Sequence, residues 1–230
     1  MNDKVIGIIG GMGPQATADF YMNLIKKTNA KRDQDHFRVI IDSNVKIPDR
    51  TEAILHNGES PVKAMVETAK NLEMLGVDVG CIPCMTAHYF IKDIEREVSY
   101  PIINAFVEVK KHICEFYPKI KNIGVLATTG TIKTGLFEKY LINANVIYPK
   151  DATQKEKVME AIYGSEGIKS GVTEGKPVQL LEEAANELID KGAELIILGC
   201  TEIGLVLKHE YMGIPLIDPM EIVIDTLITG

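Results

Sequence analysis

The sequence lacks any long hydrophobic run. Of its 230 residues 46% are hydrophobic, but no apolar run approaches the roughly 20 residues that a helix needs to cross a bilayer. The first residues also lack the basic leader and cleavage pattern of a secretory signal, since VIGIIGG leads directly into a glycine loop. We therefore expect a globular protein of the cytoplasm without a membrane partner.

Dense clusters of basic residues are also absent. The formal net charge is −7, with 25 Lys and Arg against 32 Asp and Glu. Because phosphate backbones bind to basic surfaces, this balance argues against nucleic acid as the main partner. It also disfavours anionic small molecules at long range, so an acidic substrate would have to be bound by a few local cations.

Cysteine is sparse and shows no framework spacing. The four cysteines are Cys81, Cys84, Cys114 and Cys200, and their spacing is not that of a disulfide-rich secreted domain. In a reducing compartment we expect all four to be free thiols.

What the sequence does contain is an alternation of short apolar runs with longer segments of helical period. The runs predicted to be strands are 4–10, 37–43, 77–83, 100–106, 122–128, 145–149, 194–200 and 214–219. The segments predicted to be helices are 15–30, 61–76, 86–98, a stretch that starts at about 131, 153–163 and 177–191. Alternating strands and helices indicate parallel βαβ units, so the predicted fold class is α/β.

The second series of elements repeats the first. VIGIIGGMG at 5–13 corresponds to NIGVLATTG at 122–130, Cys84 corresponds to Cys200, and PIINAF at 101–106 corresponds to PLIDPM at 215–220. Such pairs could arise in any two α/β units, but three landmarks in the same order favour a duplication. We predict two pseudo-symmetric halves, each a mostly parallel sheet flanked by helices. The first half is 1–105 with 213–230 packing back on it, and the second is 106–212.

Both cysteines follow predicted strands, as do the loops GGMG at 10–13 and ATTGT at 127–131. In parallel α/β folds ligands bind beyond the carboxyl ends of the strands. We therefore expect an active site in a cleft between the two halves, with Cys84 contributed from one side and Cys200 from the other.

Two opposed thiols are suited to inverting the α-carbon of an amino acid. A thiolate removes the α-proton from one face, and a thiol returns a proton to the other. A helix N-terminus or a nearby cation lowers the pKa of a cysteine. Thr86, an N-cap candidate after Cys84, and Thr201 with Glu202 after Cys200 predict a helix start, and hence a stabilised thiolate, at each site.

Other interpretations of the cysteines stay open. Cys81, on a strand, and Cys114, in a helix, are expected to be buried core residues. Cys81 and Cys84 could form a redox pair or half of a zinc site, although no second CxxC or His pair completes four ligands. A protein that binds an amino acid without turning it over is a further alternative.

The main alternative of another class is a dinucleotide-binding oxidoreductase. Gly11, Gly13 and Ala16 follow a strand and satisfy the loose glycine fingerprint, and Asp42 ends the next strand. Pro14 weakens this interpretation, because it opens the helix where a main-chain N–H would be needed for the pyrophosphate. The second cysteine would also have no role.

The chain resembles the aspartate/glutamate racemase family nearly end to end. The segments that resemble family motifs, in order, are IGIIGGMGPQATADFY, KRDQDH, IPDRT, PCMTAH, LATTGTI, GIKSG, GCTEI and PLIDPM. The resemblance implies a cofactor-independent racemase that interconverts L- and D-aspartate or glutamate, and a homodimer.

The same resemblance assigns roles to single residues. It makes Cys84 and Cys200 the proton donor and acceptor, and it makes Arg50 and Lys169 the candidates that bind the side-chain carboxylate. The remaining candidates for substrate contact are Met12, Met85, Thr86, Ala87, Thr128 and Thr201.

At one position the sequence departs from the family pattern. Met85 stands where the family usually has asparagine, so a thioether replaces an amide that would hydrogen-bond the substrate. Met85 could equally fill core space. By composition alone Arg50 and Lys169 could be solvated loop cations, and His88 could either tune the thiol beside it or simply pack in the fold.

Overall fold

The computed structural model describes residues 4–207 and 210–230. The strands within these residues are β1 (Val5–Gly10), β2 (Arg38–Ser43), β3 (Val79–Cys81), β4 (Asn122–Leu126), β5 (Asn145–Ile147), β6 (Leu195–Leu198), β7 (Glu210–Tyr211) and β8 (Ile214–Ile217).

The helices are α1 (Pro14–Lys27), α2 (Arg50–Leu55), α3 (Val62–Met74), α4 (Ile91–Glu95), α5 (Ala105–Phe116), α6 (Thr129–Lys133), α7 (Leu136–Tyr140), α8 (Asp151–Thr153), α9 (Glu160–Tyr163), α10 (Lys176–Asp190) and α11 (Pro219–Thr229). The 3-10 turns are Asp33–Asp35, Thr86–Phe90, Ile168–Ser170 and Ile203–Leu205, and a π-helical stretch, Gln154–Met159, joins α8 to α9.

The chain divides into two compact units. The first comprises Met1–Glu108 with Met220–Gly230, and the second comprises Val109–Pro219. The sequence predicts the halves as 1–105 with 213–230 and as 106–212, so the observed units differ from them at 106–108 and at 213–219. Strand β8 pairs in parallel with β6 and so belongs to the second sheet, whereas α11 contacts the first unit through an ion pair between Lys27 Nζ and Asp225 Oδ1 at 2.9 Å.

The sheet of the first unit has the order β2-β1-β3, with both pairings parallel. Five of the six residues of β1 are buried, and its nearly continuous apolar sequence is typical of a parallel strand covered on both faces. An isolated parallel bridge between Gly80 and Ile102 extends this order by one more position.

The sheet of the second unit has the order β5-β4-β6-β8-β7, in which only the β7 pairing is antiparallel. Its parallel part, β5-β4-β6-β8, repeats the order β2-β1-β3 followed by the Ile102 bridge. The α/β fold class, with two mainly parallel sheets flanked by helices, is confirmed.

Some predicted elements differ from the structure. The strand predicted at 100–106 is reduced to the bridge at Ile102, because the Asn104 side chain accepts from the Phe106 N–H at 3.0 Å and α5 begins there. The helix predicted at 86–98 is divided into the 3-10 turn and α4. Helix α2, which was not predicted, begins after Asp49, whose carboxylate accepts from the Glu52 N–H at 3.0 Å.

In the part of the chain that the structure describes, no helix combines the length and apolar character required to span a membrane.

Candidate active site

The two cysteines of the predicted pair follow corresponding strands, one in each unit. Cys84 comes three residues after the end of β3, which pairs with β1, and Cys200 comes two residues after the end of β6, which pairs with β4. Each cysteine is only 6% exposed. Each thiol therefore lies at the carboxyl edge of its own sheet, where parallel α/β proteins bind ligands.

Main-chain hydrogen bonds hold Cys84 in its turn. Its N–H donates to the Ile82 carbonyl at 2.7 Å, and its carbonyl lies 2.9 Å from His88 Nδ1. His88 Nε2 accepts from the Ala105 N–H at 3.1 Å. Because Nε2 is an acceptor, the ring proton belongs on Nδ1, which donates to Cys84. The imidazole thus connects the Cys84 turn to the start of α5.

His88 is 3% exposed and neutral near pH 7. Burial lowers its pKa to about 4, although its hydrogen bonds to main-chain groups act in the opposite direction. Its ring meets the edge of Phe106, with ring centres 5.9 Å apart. These contacts make His88 a positioning group for the Cys84 turn.

The loop that follows β1 lies against the end of β2. Gly11 has a φ of +90°, and a Cβ there would lie 2.4 Å from the Asn44 carbonyl carbon, so this position requires glycine. The Gly11 N–H donates to Thr17 Oγ1 at 3.0 Å, and that hydroxyl donates to the Gly13 carbonyl at 2.8 Å. Met12, at the centre of the loop, is buried.

Arg50 is a buried cation at the start of α2. Its Nη1 donates to the carbonyls of Pro48 at 3.0 Å and Ile47 at 3.4 Å, and its Nη2 donates to the Met12 carbonyl at 3.4 Å. Arg50 therefore braces the Met12 loop. A guanidinium carries five N–H donors, so this role does not by itself exclude carboxylate binding.

The three residues after Cys84 are Met85, Thr86 and Ala87, and all three are buried. Ala87 belongs to the same apolar cluster as Cys84 and Met12. The first unit therefore brings most of its predicted site residues together at one edge of the sheet.

A carboxylate lies against the second thiol. Cys200 Sγ donates to Glu202 Oε2 at 3.0 Å, and Thr201 Oγ1 donates to the same oxygen at 3.1 Å. The other oxygen, Oε1, forms an ion pair with Lys169 Nζ, which also lies 5.5 Å from the centre of the Tyr163 ring. The second unit thus brings Lys169, Thr201 and Cys200 together through Glu202.

Burial and charge act differently on the two acids of this group. Burial raises the pKa of Cys200, the charge of Glu202 raises it further, and Lys169 opposes this only in part. Burial also raises the pKa of Glu202, but the ion pair with Lys169 and the hydrogen bonds outweigh this effect and lower it. The group therefore consists of a thiol beside an ionised carboxylate.

The predicted helix starts differ from those observed. The residue before the first 3-10 turn is Met85, without a side-chain cap, so the N-cap assignment of Thr86 is wrong. Glu202 precedes the turn Ile203–Leu205, and that turn supplies few aligned peptide dipoles. The prediction of a stabilised thiolate at Cys200 is also wrong, because the Glu202 carboxylate favours the thiol.

Thr128 lies in the loop of the second unit that corresponds to the Met12 loop. It caps α6, since its Oγ1 accepts from the Thr131 N–H at 3.2 Å. The preceding residue, Ala127, borders Gly199, where an added Cβ would lie 2.9 Å from the Ala127 Cβ. The Thr128 loop therefore adjoins the residue before Cys200.

The other two cysteines lie in different environments. Cys81 is fully buried, with its Sγ 3.7 Å from the Gly7 carbonyl oxygen, and burial raises its pKa. Cys114, which the sequence predicts in the core, is exposed, because the preceding residue, Ile113, lies on the buried face of α5. Across residues 4–207 and 210–230, no group of three or more His, Cys, Asp or Glu residues is arranged to hold a metal ion.

Glu202 is the residue whose contacts sequence reasoning missed. The sequence pattern predicts it only as part of a helix start. Its signal was an acidic residue within the short, otherwise uncharged segment GCTEI, since a buried carboxylate needs a compensating partner. The sequence could not identify Lys169, 33 residues away, as that partner.

Comparison with known proteins places this chain in a racemase family. The family model described as Asp/Glu/Hydantoin racemase matches residues 9–227. The chain is 31% identical over 221 residues to the broad specificity amino-acid racemase RacX of Bacillus subtilis (strain 168). The aligned region covers 93% of this chain and 92% of the relative.

Solved structures give the same picture. The chain is similar to the aspartate racemase of Picrophilus torridus, with a TM-score of 0.85 and 29% identity over 98% of this chain and 93% of that one. An aspartate racemase homologue from Pyrococcus horikoshii OT3 matches with a TM-score of 0.72 and 26% identity, over 99% and 98% of the two chains.

Proposed function

Given that the chain belongs to the Asp/Glu/hydantoin racemase family, we propose that it interconverts L- and D-aspartate, and also glutamate, without a cofactor. Cys84 and Cys200 are the two acid/base groups. The observation that carries the proposal is the correspondence of the two thiols, each nearly buried at the carboxyl edge of the equivalent strand of its unit.

The reaction transfers two protons. A thiolate takes the α-proton, so that the C–H bond breaks, an S–H bond forms and the α-carbon becomes planar. The other thiol then gives its proton to the opposite face, so that a new C–H bond forms and the second sulfur becomes the thiolate. The mechanism requires both sulfurs to reach one α-carbon from opposite sides.

The planar intermediate carries negative charge that extends into the α-carboxylate. Donors fixed before the reaction stabilise such charge without reorganising. We assign this role, together with binding of the amino group, to the turn residues beside the thiols and in the corresponding loops, namely Met12, Met85, Thr86, Ala87, Thr128 and Thr201.

Selection of an acidic side chain would come from Arg50 and Lys169. A protein with a net charge of −7 binds a dicarboxylate only where local cations offset its field. Arginine can bind a carboxylate through two parallel hydrogen bonds, and the three N–H donors of lysine can serve a substrate carboxylate together with Glu202.

A second candidate is a racemase of broad specificity. The charge of Lys169 is already balanced by Glu202, Arg50 donates to three carbonyls, and Met85 offers no amide to a polar side chain. These contacts would weaken selection for a second carboxylate. The relative from Bacillus subtilis is itself named a broad specificity amino-acid racemase.

Proton exchange tests both candidates. The reduced, purified protein is incubated in deuterated water with the L and D forms of aspartate, glutamate, alanine and methionine, in the presence of a chelator and without added cofactor. Loss of the α-proton signal and chiral chromatography then report exchange and inversion.

We expect exchange and inversion of aspartate, and a smaller effect on glutamate. Comparable rates for alanine and methionine would favour the broad-specificity candidate. If no amino acid exchanged its α-proton, or if activity were lost to the chelator and restored by zinc, the two-cysteine proposal would be rejected. The Cys84→Ser/Cys200→Ser double variant, which lacks both thiols, is the negative control.

We also propose that the protein forms a homodimer, as the family resemblance implies, and that it acts in the cytoplasm. Sedimentation velocity of the reduced protein over a range of concentrations tests the dimer, and a monomer at every concentration would contradict it.

A further inference from the structure

Glu202 is a buried carboxylate in contact with a thiol that the proposed reaction uses. It is 4% exposed, and its two oxygens have different partners. Oε1 faces the Lys169 ammonium, whereas Oε2 accepts from Cys200 Sγ at 3.0 Å and from Thr201 Oγ1 at 3.1 Å.

Only the protonated form of Cys200 can make this contact. A thiol donates its S–H to the carboxylate, but a thiolate at the same distance would oppose like charges away from water, where such repulsion is strong. We propose, on the basis of the two-cysteine function, that Glu202 is a positioning residue that keeps the proton on Cys200 in the free enzyme. For the enantiomer whose α-hydrogen faces Cys84, the free enzyme is therefore ready to react, with Cys84 as the base and Cys200 as the proton donor.

The other charges near Cys200 determine how firmly the proton is held. Lys169 opposes Glu202, because a cation favours the thiolate. Asp218 lies against Gly204, four residues after Cys200 in the chain, where an added Cβ would be 2.3 Å from its Oδ2. Tyr163 faces Lys169 through its ring. Among these groups Glu202 is the one whose oxygen receives the Cys200 proton in a hydrogen bond.

The proton balance of one turnover follows. The α-proton moves to the Cys84 sulfur, and the Cys200 proton moves to the opposite face of the α-carbon. The enzyme is then left with a Cys84 thiol and a Cys200 thiolate beside Glu202. Loss of a proton from Cys84 to water and gain of one by Cys200 restores the starting form.

Two substitutions should move the titration of Cys200 in opposite directions. Glu202→Gln keeps the size and an acceptor oxygen but removes the charge, so it should favour the thiolate. Lys169→Met removes the opposing cation, so it should favour the thiol. A merely loosened structure would shift both variants in the same direction, which makes the opposite signs diagnostic.

The experiment follows alkylation of each cysteine by iodoacetamide in the unliganded protein between pH 6 and 12, quantified on the Cys84 and Cys200 peptides by mass spectrometry. The midpoint of each pH profile is compared, because it is independent of access to the buried thiols. Glu183→Gln, which removes the carboxylate of an exposed ion pair with Lys157, is the matched control.

We expect the Cys200 midpoint to fall in Glu202→Gln, giving about tenfold faster labelling at a pH below the midpoint if the pKa falls by one. It should rise in Lys169→Met, and it should not move in Glu183→Gln. The Cys84 profile should be the same in all four proteins. An unchanged Cys200 midpoint in Glu202→Gln overturns the proposal. A shift of the Cys200 midpoint in the same direction in Glu202→Gln and Lys169→Met overturns it as well.

The readout needs no substrate, so it separates this inference from the proposed function. If aspartate is not racemised but the midpoints move as expected, the role of Glu202 in holding the proton stands and the reaction is wrong. If Glu202→Gln does not fold, as judged by circular dichroism, the upward shift in Lys169→Met decides, and its absence overturns the proposal.

Discussion

Cys84 and Cys200 occupy corresponding positions in two repeated units, yet their neighbours differ in chemistry. Cys84 is held through its main chain by a neutral imidazole, His88. Cys200 donates directly from its sulfur to the carboxylate of Glu202, which Lys169 balances. The two thiols therefore lie at corresponding points of two similar sheets, while the residues around them give each sulfur a different electrostatic environment.

The loops that precede the two thiol turns differ in the same way. In the first unit Gly11 permits a close approach to β2, and the Thr17 hydroxyl ties the loop down. In the second unit Thr128 caps the following helix with its own hydroxyl. A threonine hydroxyl thus holds each loop. In the first unit it belongs to Thr17, in the helix after the loop, and in the second unit it belongs to Thr128, within the loop itself.

Removing each thiol in turn tests whether the two cysteines act as a pair. Cys84→Ser and Cys200→Ser should each lower racemisation by about 10²- to 10⁴-fold, because neither face of the α-carbon can be served by the other group. Chiral chromatography measures the loss. Each variant should retain slow α-proton exchange for a single enantiomer, and the two variants should differ in which one.

Cys114→Ser is the matched control, since Cys114 is exposed and should be dispensable. If either active-site variant racemised at a nearly normal rate, the two thiols would not be a pair.

The next largest effect is expected from removing the two cations, Arg50 and Lys169. Arg50→Ala and Lys169→Ala should each lower kcat/KM for aspartate. The activation free energy that corresponds to kcat/KM should rise by about 2–4 kcal/mol, the usual range for removing one member of a desolvated charged pair. The loss should be larger for Arg50, because the charge of Lys169 is already offset by Glu202.

Lys157→Ala, which alters an exposed ion pair, serves as the control. Alanine lacks the second carboxylate, so its turnover should fall less than that of aspartate in both variants. Unchanged kcat/KM for aspartate and glutamate in both variants would show that neither cation selects the substrate.

The neutral imidazole of the first site predicts a pH dependence that the second site does not share. The pKa of His88 falls on folding from 6.5 to about 4, so the unfolded chain binds more protons between these values. The stability contribution is present above pH 6.5 and is lost as the pH falls towards 4, by at most about 3 kcal/mol. Urea unfolding at pH 7 and at pH 4.5 measures this loss.

His88→Gln keeps a donor and an acceptor but does not titrate, so its stability should depend less on pH than that of the parent. His56→Gln, at an exposed position, should follow the parent. Parallel stability curves for His88→Gln and the parent would mean that His88 is not held neutral.

The smallest effect is expected in the second loop. Thr128→Ala removes the cap of α6 and should lower the free energy of unfolding by about 1 kcal/mol, measured by urea unfolding. Thr128→Ser keeps the hydroxyl and should restore most of it. Equal stability of Thr128→Ala and the parent would show that the hydroxyl does not hold this loop.

Local patterns in the sequence were sufficient for the fold and the family. Periodicity predicted the parallel strands, the repeated motifs predicted two similar halves, and the resemblance to aspartate/glutamate racemases is confirmed by the family model. Asn104 and Asp49 explain the errors at element ends, since one side-chain hydrogen bond decides where α5 and α2 begin.

The site was harder to predict because its chemistry depends on contacts between distant residues. The identity of Glu202 was visible, but its ion pair with Lys169 is set by tertiary structure. The roles assigned to the candidate residues remain predictions, including the pairing of Cys84 with Cys200.

The hydrogen bond from Cys200 to Glu202 has a consequence for the kinetics of a reversible inversion. Mirror-image amino acids have equal free energies in water, so kcat/KM must be the same from either side, whatever the two sulfurs touch. A free enzyme that rests in one protonation state can nevertheless have different kcat and KM values for the two enantiomers. Progress curves started from L and from D would then differ in curvature while ending at the same racemic mixture.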